Sequence, residues 1–411
     1  MYQDAKERYS RYNIDTEAVL EKMKHIPISI NCWQGDDVIG FEKGAGALSG
    51  GIQTTGNYPG RARNAEELMQ DFEFASSLIP GAKRLNLHAS YLISDKDKNR
   101  NEIEPEDYKA WVDFAKKNNL GLDFNPTCFS HPMVVNNLTL SSPHREVRNF
   151  WIEHCKRSRR VASYFAKELN THCVCNLWIP DGFKDTPADR LTPRLRLKDA
   201  LDEIFAEKLE GVIDSVESKV FGIGVESFTV GSSEFYLAYA SHHDGVYQLL
   251  DAGHYHPTEV ISEKLSALLC YSDRIPLHVT RSVRWDSDHV VRLDDELKEI
   301  AKEIIRNDAE DKVLIGLDFF DASINRTAAW VIGTRNMQKA LLMAMLEDNA
   351  GMKADQENED YTHLLAYSEE MKSLPWQEVW NEFLIRSGLA DDFSWYDDIK
   401  KYEKDVLSKR G

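Results

Sequence analysis

Residues 247–320 decide the fold, because three apolar, strand-like runs alternate there with two amphipathic helical stretches. They read YQLLDAG (247–253), PTEVISEKLSALLCY (257–271), IPLHVT (275–280), DDELKEIAKEIIRN (294–307) and VLIGLDFF (313–320). In the first helical stretch, Ile261, Leu265 and Leu268 recur at the spacing of one helix face. The last run is apolar on successive residues, as strands buried on both faces are. This alternation indicates parallel strands joined by crossover helices.

The same alternation extends over most of the 411 residues. The runs predicted as strands are 26–33, 84–91, 121–127, 172–180, 214–222, 247–253, 275–280 and 313–320. The predicted helices between or after them are 66–77, 105–118, 147–169, 195–209, 257–271, 294–307 and 327–347. Eight strand units fit a closed (β/α)8 TIM barrel better than an open sheet. We therefore predict an α/β barrel over residues 26–347, with the Gly-rich segment 44–51 as one of its loops.

The two ends of the chain lie outside this alternation. Residues 1–25 are predicted to form one charged N-terminal helix, and residues 348–411 a C-terminal helical extension. Trp376, Trp380, Phe383 and Trp395 in this extension are typical of packing anchors or subunit contacts. We expect the extension to carry contacts between copies of the chain.

Composition excludes several classes of partner. The 68 acidic residues outnumber the 50 basic ones and give a formal net charge of −18. Such a surface repels nucleic acid and anionic lipid, so we expect neither as a partner. The basic run from Lys156 to Arg160 is interpreted as a solvated helix face. No export signal or apolar membrane span is visible and the six cysteines are scattered, which favours a cytoplasmic protein with reduced, buried thiols.

Polar residues that can bind metal follow the predicted strands from the fifth onward. The C-terminal strand ends of such a barrel form its active-site face, so these residues are expected to converge. They are Glu217 and Lys219 on the fifth strand, Asp251 and His254 at the sixth, His278, Asp286 and Asp288 on and after the seventh, and Asp318 on the eighth. Any one of them alone is more often structural, and Asp-Ser-Asp alone is typical of a turn. Their placement at four consecutive strand ends is what predicts a site.

Five carboxylates at one barrel mouth repel one another unless cations lie between them. Seven carboxylate and imidazole ligands are too many for one ion, and suit two divalent ions that share a bridging carboxylate. This donor set favours Mn²⁺, with Co²⁺, Zn²⁺ or Mg²⁺ as alternatives. Lys219 has two interpretations: it neutralises the acidic cluster, or it orients a substrate oxygen.

Longer stretches of the chain resemble the L-rhamnose isomerase family, which is related to the xylose isomerases. The stretches that carry the resemblance are Asn31–Asp37, Gly51–Gly60, Arg84–His88, Gly121–Pro126, Trp178–Gly182, Val283–His289 and Gly316–Asn325. The resemblance runs nearly end to end, and Glu217 and Lys219 are similar to the Glu-x-Lys of the fifth strand in xylose isomerases. It implies a two-metal aldose–ketose isomerase of L-rhamnose that assembles as a homotetramer.

The resemblance also implies a role for each site residue. A structural metal ion would be held by Glu217, Asp251, His278 and Asp318. Glu217 would bridge to a catalytic ion held by His254, Asp286 and Asp288. Catalytic roles would fall to Lys219, Asp318 and His88, and sugar contacts to Trp178, His88 and Lys219.

An aldose–ketose isomerase moves hydrogen between C1 and C2 of a sugar. Two cations that polarise the carbonyl and the neighbouring hydroxyl favour a direct hydride shift, and an enediol route with a base is the alternative. The shortage of carboxylates outside the predicted ligand set favours the hydride shift. Rival functions are isomerisation or epimerisation of another aldose, a two-metal hydrolase, and a non-catalytic sugar-binding protein. Trp33, Phe129 and Trp178 could form an apolar patch for a 6-deoxy methyl group.

Overall fold

Parallel strands close into a barrel in the computed structural model, which describes residues 1–42, 52–94 and 96–410. The strands of these residues are β1 Ile28–Asn31, β2 Lys83–His88, β3 Gly121–Asn125, β4 Cys173–Leu177, β5 Gly182–Phe183, β6 Val212–Glu217, β7 Phe228–Thr229, β8 Val246–Asp251, β9 Ile275–Val279 and β10 Val313–Leu317. The order around the barrel is β1-β10-β9-β8-β6-β4-β3-β2, which confirms the predicted (β/α)8 fold. The predicted loop 44–51 lies outside the described residues.

Helices cover the outside of the barrel and form both ends of the chain. The α-helices of the described residues are α1 Tyr2–Ser10, α2 Thr16–Met23, α3 Ala65–Ser77, α4 Lys109–Asn118, α5 Arg145–Leu169, α6 Leu191–Ile204, α7 Ser233–Ser241, α8 Ser262–Leu269, α9 Asp295–Arg306, α10 Arg326–Met345, α11 Asn349–Glu357, α12 Tyr361–Met371, α13 Trp376–Arg386 and α14 Trp395–Asp405. Helix α9 shows why these segments are helical: Asp294 caps its first turn by accepting from the backbone N–H of Leu297, and Ile300, Ile304 and Ile305 face the barrel.

Strand register brings the polar strand ends to one face of the barrel. All barrel pairs are parallel, so the C-terminal ends of the strands lie together. Asp251 at the end of β8 pairs directly with His278 on β9. Gly316 on β10 pairs with the same His278 from the other side. The side chains that follow these strands therefore share one mouth.

The structure departs locally from the sequence predictions in three places, one wrong prediction and two elements that were not predicted. The N-terminal segment holds two helices, α1 and α2, because Asn13 takes a left-handed backbone (φ 61°) and Asp15 then caps the second helix. The sequence also gave no signal for α7 between β6 and β8, whose apolar Tyr236 and Tyr239 lie buried against the barrel. The short antiparallel pair β5 and β7 was equally unexpected.

The basic run on α5 is not a uniformly solvated face. Arg159 is buried and binds both carboxylate oxygens of Asp214 at 2.8 Å. Its guanidinium also donates to the carbonyl oxygens of Ile204 and Glu207. An arginine can bury its planar fork in this way because carboxylate and carbonyl oxygens satisfy its donors. The prediction of a solvated helix face is therefore wrong for this residue.

The C-terminal extension packs back onto the barrel. Trp380 and Phe383 are almost fully buried, as expected of packing anchors, whereas Trp376 and Trp395 are half-buried. At the end of the chain, buried Arg410 binds Asp71 of α3 through two N–H groups, and Tyr402 donates to the same carboxylate at 2.6 Å. The boundaries 1–25, 26–347 and 348–411, and the subunit contacts of the extension, stay predictions.

The cysteines are free, and five of the six are buried; Cys270 is exposed, so the expectation of burial is wrong for that residue. Over the ranges that the structure describes, we find no helix long and apolar enough to span a membrane.

Candidate metal centre

The C-terminal mouth of the barrel encloses a cavity of about 50 Å³. Eight of the ten side chains predicted from the sequence for the site line it: His88, Trp178, Glu217, Lys219, His254, His278, Asp288 and Asp318. Asp251 and Asp286 lie just behind this wall, in contact with His278 and His254. The structure thus gathers every predicted site residue at one place.

Four of the predicted ligands form a compact group. One ligand atom from each of Glu217, Asp251, His278 and Asp318 lies within 4.8 Å of the others. Nδ1 of His278 is 3.5 Å from Glu217 Oε2, 3.7 Å from Asp251 Oδ2 and 3.4 Å from Asp318 Oδ2. Three oxygens and one imidazole nitrogen directed at one point form a donor set suited to a divalent cation.

The remaining ligands form a second group on the other oxygen of Glu217. Nδ1 of His254 lies 2.9 Å from Glu217 Oε1, and Nε2 of His254 lies 3.4 Å from Asp286 Oδ2. Nζ of Lys219 contacts the same Asp286 oxygen at 2.7 Å. Asp288 lines the cavity, and its carbonyl oxygen accepts from the N–H of Phe320 at 3.1 Å, which anchors the loop after β9. Glu217 therefore lies between the two groups.

Buried charges perturb the pKa values of this cluster. Burial raises the pKa of Asp251 to about 8, and the Glu217 carboxylate adds to the increase. The pKa of Asp288 is raised well above its usual range by burial and by Asp286. Burial opposes ionisation of Glu217, but His278 and His254 hold its pKa below the usual range. The carboxylates are too close together to ionise freely without additional positive charge.

A divalent cation fits this donor set, as the unused buried atoms show. Within the described part of the chain, Asp251 Oδ2, His278 Nδ1 and Asp286 Oδ1 are buried and have no hydrogen-bond partner. Buried polar atoms normally find such partners, because an unpaired one costs about 1–3 kcal/mol. All three belong to predicted metal ligands, and metal coordination would satisfy each of them.

Lys219 is a cation at neutral pH despite its burial. Burial lowers the pKa of a lysine, but here Asp286 and Asp288 outweigh that effect and raise it. Its Nζ also lies 5.0 Å from the ring centre of Trp178. The ammonium group is thereby fixed between the acidic wall and an aromatic face, where it can donate to a ligand oxygen.

Aromatic side chains form the opposite wall of the cavity. The rings of Trp33 and His88 lie 4.8 Å apart, and Phe129 lies 5.4 Å from His88 and 5.7 Å from Trp178. Burial, with a further effect from the nearby His278, lowers the pKa of His88 to about 3. His88 is therefore a neutral imidazole, able to exchange hydrogen bonds with a hydroxyl group.

Sequence reasoning missed several residues that hold this site together. Asn176 at the end of β4 donates to Glu217 Oε2, and Trp33 Nε1 donates to Asp318 Oδ1 at 2.9 Å. Val38 and Ile52 complete the apolar wall. The position of Asn176 on an inward-facing strand end was a usable signal, whereas nothing in the sequence indicated which carboxylate the Trp33 indole would bind.

Comparisons with a family model and with known proteins indicate the same family. The L-rhamnose isomerase family (RhaA) matches residues 1–410. The L-rhamnose isomerase of Klebsiella pneumoniae (strain 342) is 58% identical over 409 residues, which cover 99% of this chain and 97% of that protein. The L-rhamnose isomerase of Enterobacter sp. (strain 638) matches with the same identity and the same coverage.

Solved structures are more distant. L-ribulose 3-epimerase has a TM-score of 0.47 at 12% identity and covers 69% of this chain and 91% of its own. The fold assignment rests instead on the closed barrel described above.

Proposed function

Because the chain belongs to the L-rhamnose isomerase family, we propose that it interconverts L-rhamnose and L-rhamnulose at the cavity described above. The observation that supports this most directly is the position of Glu217. One of its oxygens faces His278 and the other faces His254, so a single carboxylate joins two groups of ligands. This arrangement suits a bridging ligand between two cations.

The two groups would hold two divalent ions, for which we propose Mn²⁺, with Co²⁺, Zn²⁺ or Mg²⁺ as alternatives. The first ion would be held by Glu217, Asp251, His278 and Asp318, and the second by Glu217, His254, Asp286 and Asp288. When bound, such ions polarise a sugar carbonyl and the adjacent hydroxyl together.

The protein's own residues orient the sugar and its protons. Lys219 offers a fixed ammonium group to the substrate oxygen at which negative charge develops. Asp318 would exchange a proton with a sugar hydroxyl. Its carboxylate is oriented for this, because the Trp33 indole donates to Asp318 Oδ1 while Asp318 Oδ2 faces His278. His88 and Trp178 would position the sugar through a hydrogen bond and an aromatic face.

For the carbon-to-carbon step we propose a hydride shift between C1 and C2. The enediol route needs a carboxylate free to take a proton from carbon. In the described wall of the cavity, the carboxylates are Glu217, Asp288 and Asp318, and each belongs to a proposed ligand group.

The test is ketose formation from L-rhamnose by metal-stripped protein, with and without added Mn²⁺. We expect Mn²⁺ to restore activity in the wild type but not in Asp286→Asn, which weakens the second group. Asp295→Asn is the matched control, because its side chain is almost fully exposed on α9 and does not line the cavity. Conversion of a different aldose would retain the chemistry and change the substrate. No isomerisation of any aldose by metal-loaded protein would refute the proposal.

We propose further that the protein is a cytoplasmic homotetramer, with the extension 348–411 among its contacts. The exposed Tyr361, Leu365 and Phe393 on and near the extension's helices supply apolar surface for such contacts. Light scattering coupled to gel filtration would test this: a mass of one 47.1 kDa chain at micromolar concentration would contradict the tetramer.

A further inference from the structure

A second cavity, of about 330 Å³, occupies the N-terminal end of the barrel. At the surface it is lined by the exposed Asp311 and the half-buried His172 and Arg274, so it is open to solvent. Deeper in the barrel, the inward-facing lining residues include Ser29, Asn86 and Gly316. Barrels of this type usually fill these layers with bulky branched side chains. Here small and polar residues leave the space open.

His278 separates this cavity from the metal centre. Among the described residues, His278 alone lines both the cavity at the mouth and the cavity at the N-terminal end. Its imidazole therefore has one side toward the proposed metal ligands and the other toward the interior of the barrel. Its Nδ1 is the nitrogen that faces Glu217, Asp251 and Asp318.

The other ring nitrogen, Nε2, faces the N-terminal cavity. A Cβ added at Gly316, a lining residue of that cavity, would lie 3.1 Å from Cδ2 and 3.7 Å from Nε2 of His278. Within the described residues, no protein group forms a hydrogen bond with this nitrogen. Unlike Nδ1, it is not a fully buried atom. A metal-binding histidine normally donates its second N–H to a carboxylate, a carbonyl or water.

We infer that the N-terminal cavity binds ordered water, and that this water accepts a hydrogen bond from Nε2–H of His278. The inference rests on the proposed function in so far as His278 is a metal ligand. The space is roomy and polar enough for water, with Ser29 and Asn86 as further partners. Protonation at Nε2 leaves the lone pair of Nδ1 directed at the metal, so the water fixes the tautomer that binds the ion. Gly316 is the residue that leaves room for it.

A pair of substitutions at Gly316 tests this role. Gly316→Ala places a methyl group beside Nε2 and removes the space for water, whereas Gly316→Ser has the same added Cβ but brings an oxygen that can accept the hydrogen bond. Both share the cost of the 3.0 Å approach of the Cβ to the carbonyl oxygen of Leu277. We expect the alanine variant to bind Mn²⁺ about 10- to 100-fold more weakly by calorimetry, as when such a partner is lost. The serine variant should stay within about threefold of the wild type. Equal losses in the two variants, or no loss in either, would overturn the inference.

A measurement on the wild type needs no variant and separates this inference from the proposed function. A high-resolution crystal structure should show an ordered water about 2.7–3.2 Å from Nε2 of His278. Absence of any acceptor at that distance would overturn the inference even if the protein isomerises L-rhamnose. Failure of the wild type to bind Mn²⁺ would instead refute the metal centre, and with it the proposed function, while the crystal structure still decides the water.

Discussion

Replacing Lys219 by methionine separates the two roles that its position allows. Methionine keeps most of the length and the apolar contact with Trp178 but removes the ammonium group. If Lys219 only neutralises the acidic wall, bound cations can replace its charge. If it orients the substrate, bound cations cannot replace it, because the missing donor is directed at the sugar.

The size of each effect follows from the contact with Asp286. At 2.7 Å and an effective dielectric constant of about 20, the Coulomb attraction of the pair is about 6 kcal/mol before desolvation. Removing one member of a buried pair costs about 3–5 kcal/mol. We therefore expect metal-free Lys219→Met to be less stable by about that amount. The loss of a donor at a developing negative charge lowers kcat by about 10²- to 10³-fold.

The assay measures kcat and KM for L-rhamnose at saturating Mn²⁺, together with Mn²⁺ affinity and urea unfolding of the metal-free protein. Lys219→Arg is the control, since it keeps the charge and donors but changes their geometry. We expect kcat to remain low in Lys219→Met although Mn²⁺ binds, and partial activity in the arginine variant. If saturating Mn²⁺ returns kcat of the methionine variant to the wild-type range, the orienting role is refuted and neutralisation remains.

Three further predictions concern the site and its supports. Trp33→Phe removes the hydrogen bond to Asp318 but keeps an aromatic ring. We expect kcat to fall about tenfold, because about 1–1.5 kcal/mol of hydrogen bonding is lost, and Mn²⁺ affinity to stay unchanged. A loss of Mn²⁺ affinity would show instead that the hydrogen bond acts on metal binding. Arg410→Ala leaves Asp71 buried without its cation and should reduce the free energy of unfolding in urea by about 3–5 kcal/mol, part of which Asp71→Asn in the same chain should recover. Burial raises the pKa of Asp36 to about 7, so the folded state favours its protonated form; its contribution to stability is present below pH about 4 and is lost as pH rises through 7. Urea unfolding between pH 4 and 8 should show this decline, and Asp36→Asn should remove it; an unchanged slope in the variant would contradict the assignment.

The barrel could be predicted because its signal is local and repeated. Strand β9 is a short run of buried residues, and in α9 after it the apolar residues Leu297, Ile300 and Ile304 return at helical spacing, so this unit carries its own evidence. Helix α7 carried no such evidence, because its nine residues are apolar or small on most faces and show little amphipathic pattern. The break between α1 and α2 depended on the left-handed backbone at Asn13, which the charged composition of the segment did not reveal.

The residues of the site could be predicted from the sequence, but their arrangement in space could not. Asp251 ends β8 and Asp318 directly follows β10, the two strands on either side of β9, so the fold class alone brought them to one mouth. The division into two groups needed coordinates, since it depends on which oxygen of Glu217 faces His254 and which faces His278. Asn176 and Trp33 were missed as partners of these carboxylates for the same reason, because the direction of a side chain is set by packing across the barrel.

The sequence by itself determined the strand–helix repeat, the polar residues at the strand ends, and the family resemblance that comparison then established. These are properties of short segments, so they can be recognised without knowing how distant segments pack together. Only the tertiary structure decided that Arg159 is buried against Asp214, and that the interior of the barrel is open beneath His278. Both depend on contacts between strands and helices far apart in the chain, where the available space and the available hydrogen-bond partners, rather than local pattern, fix the position of each side chain.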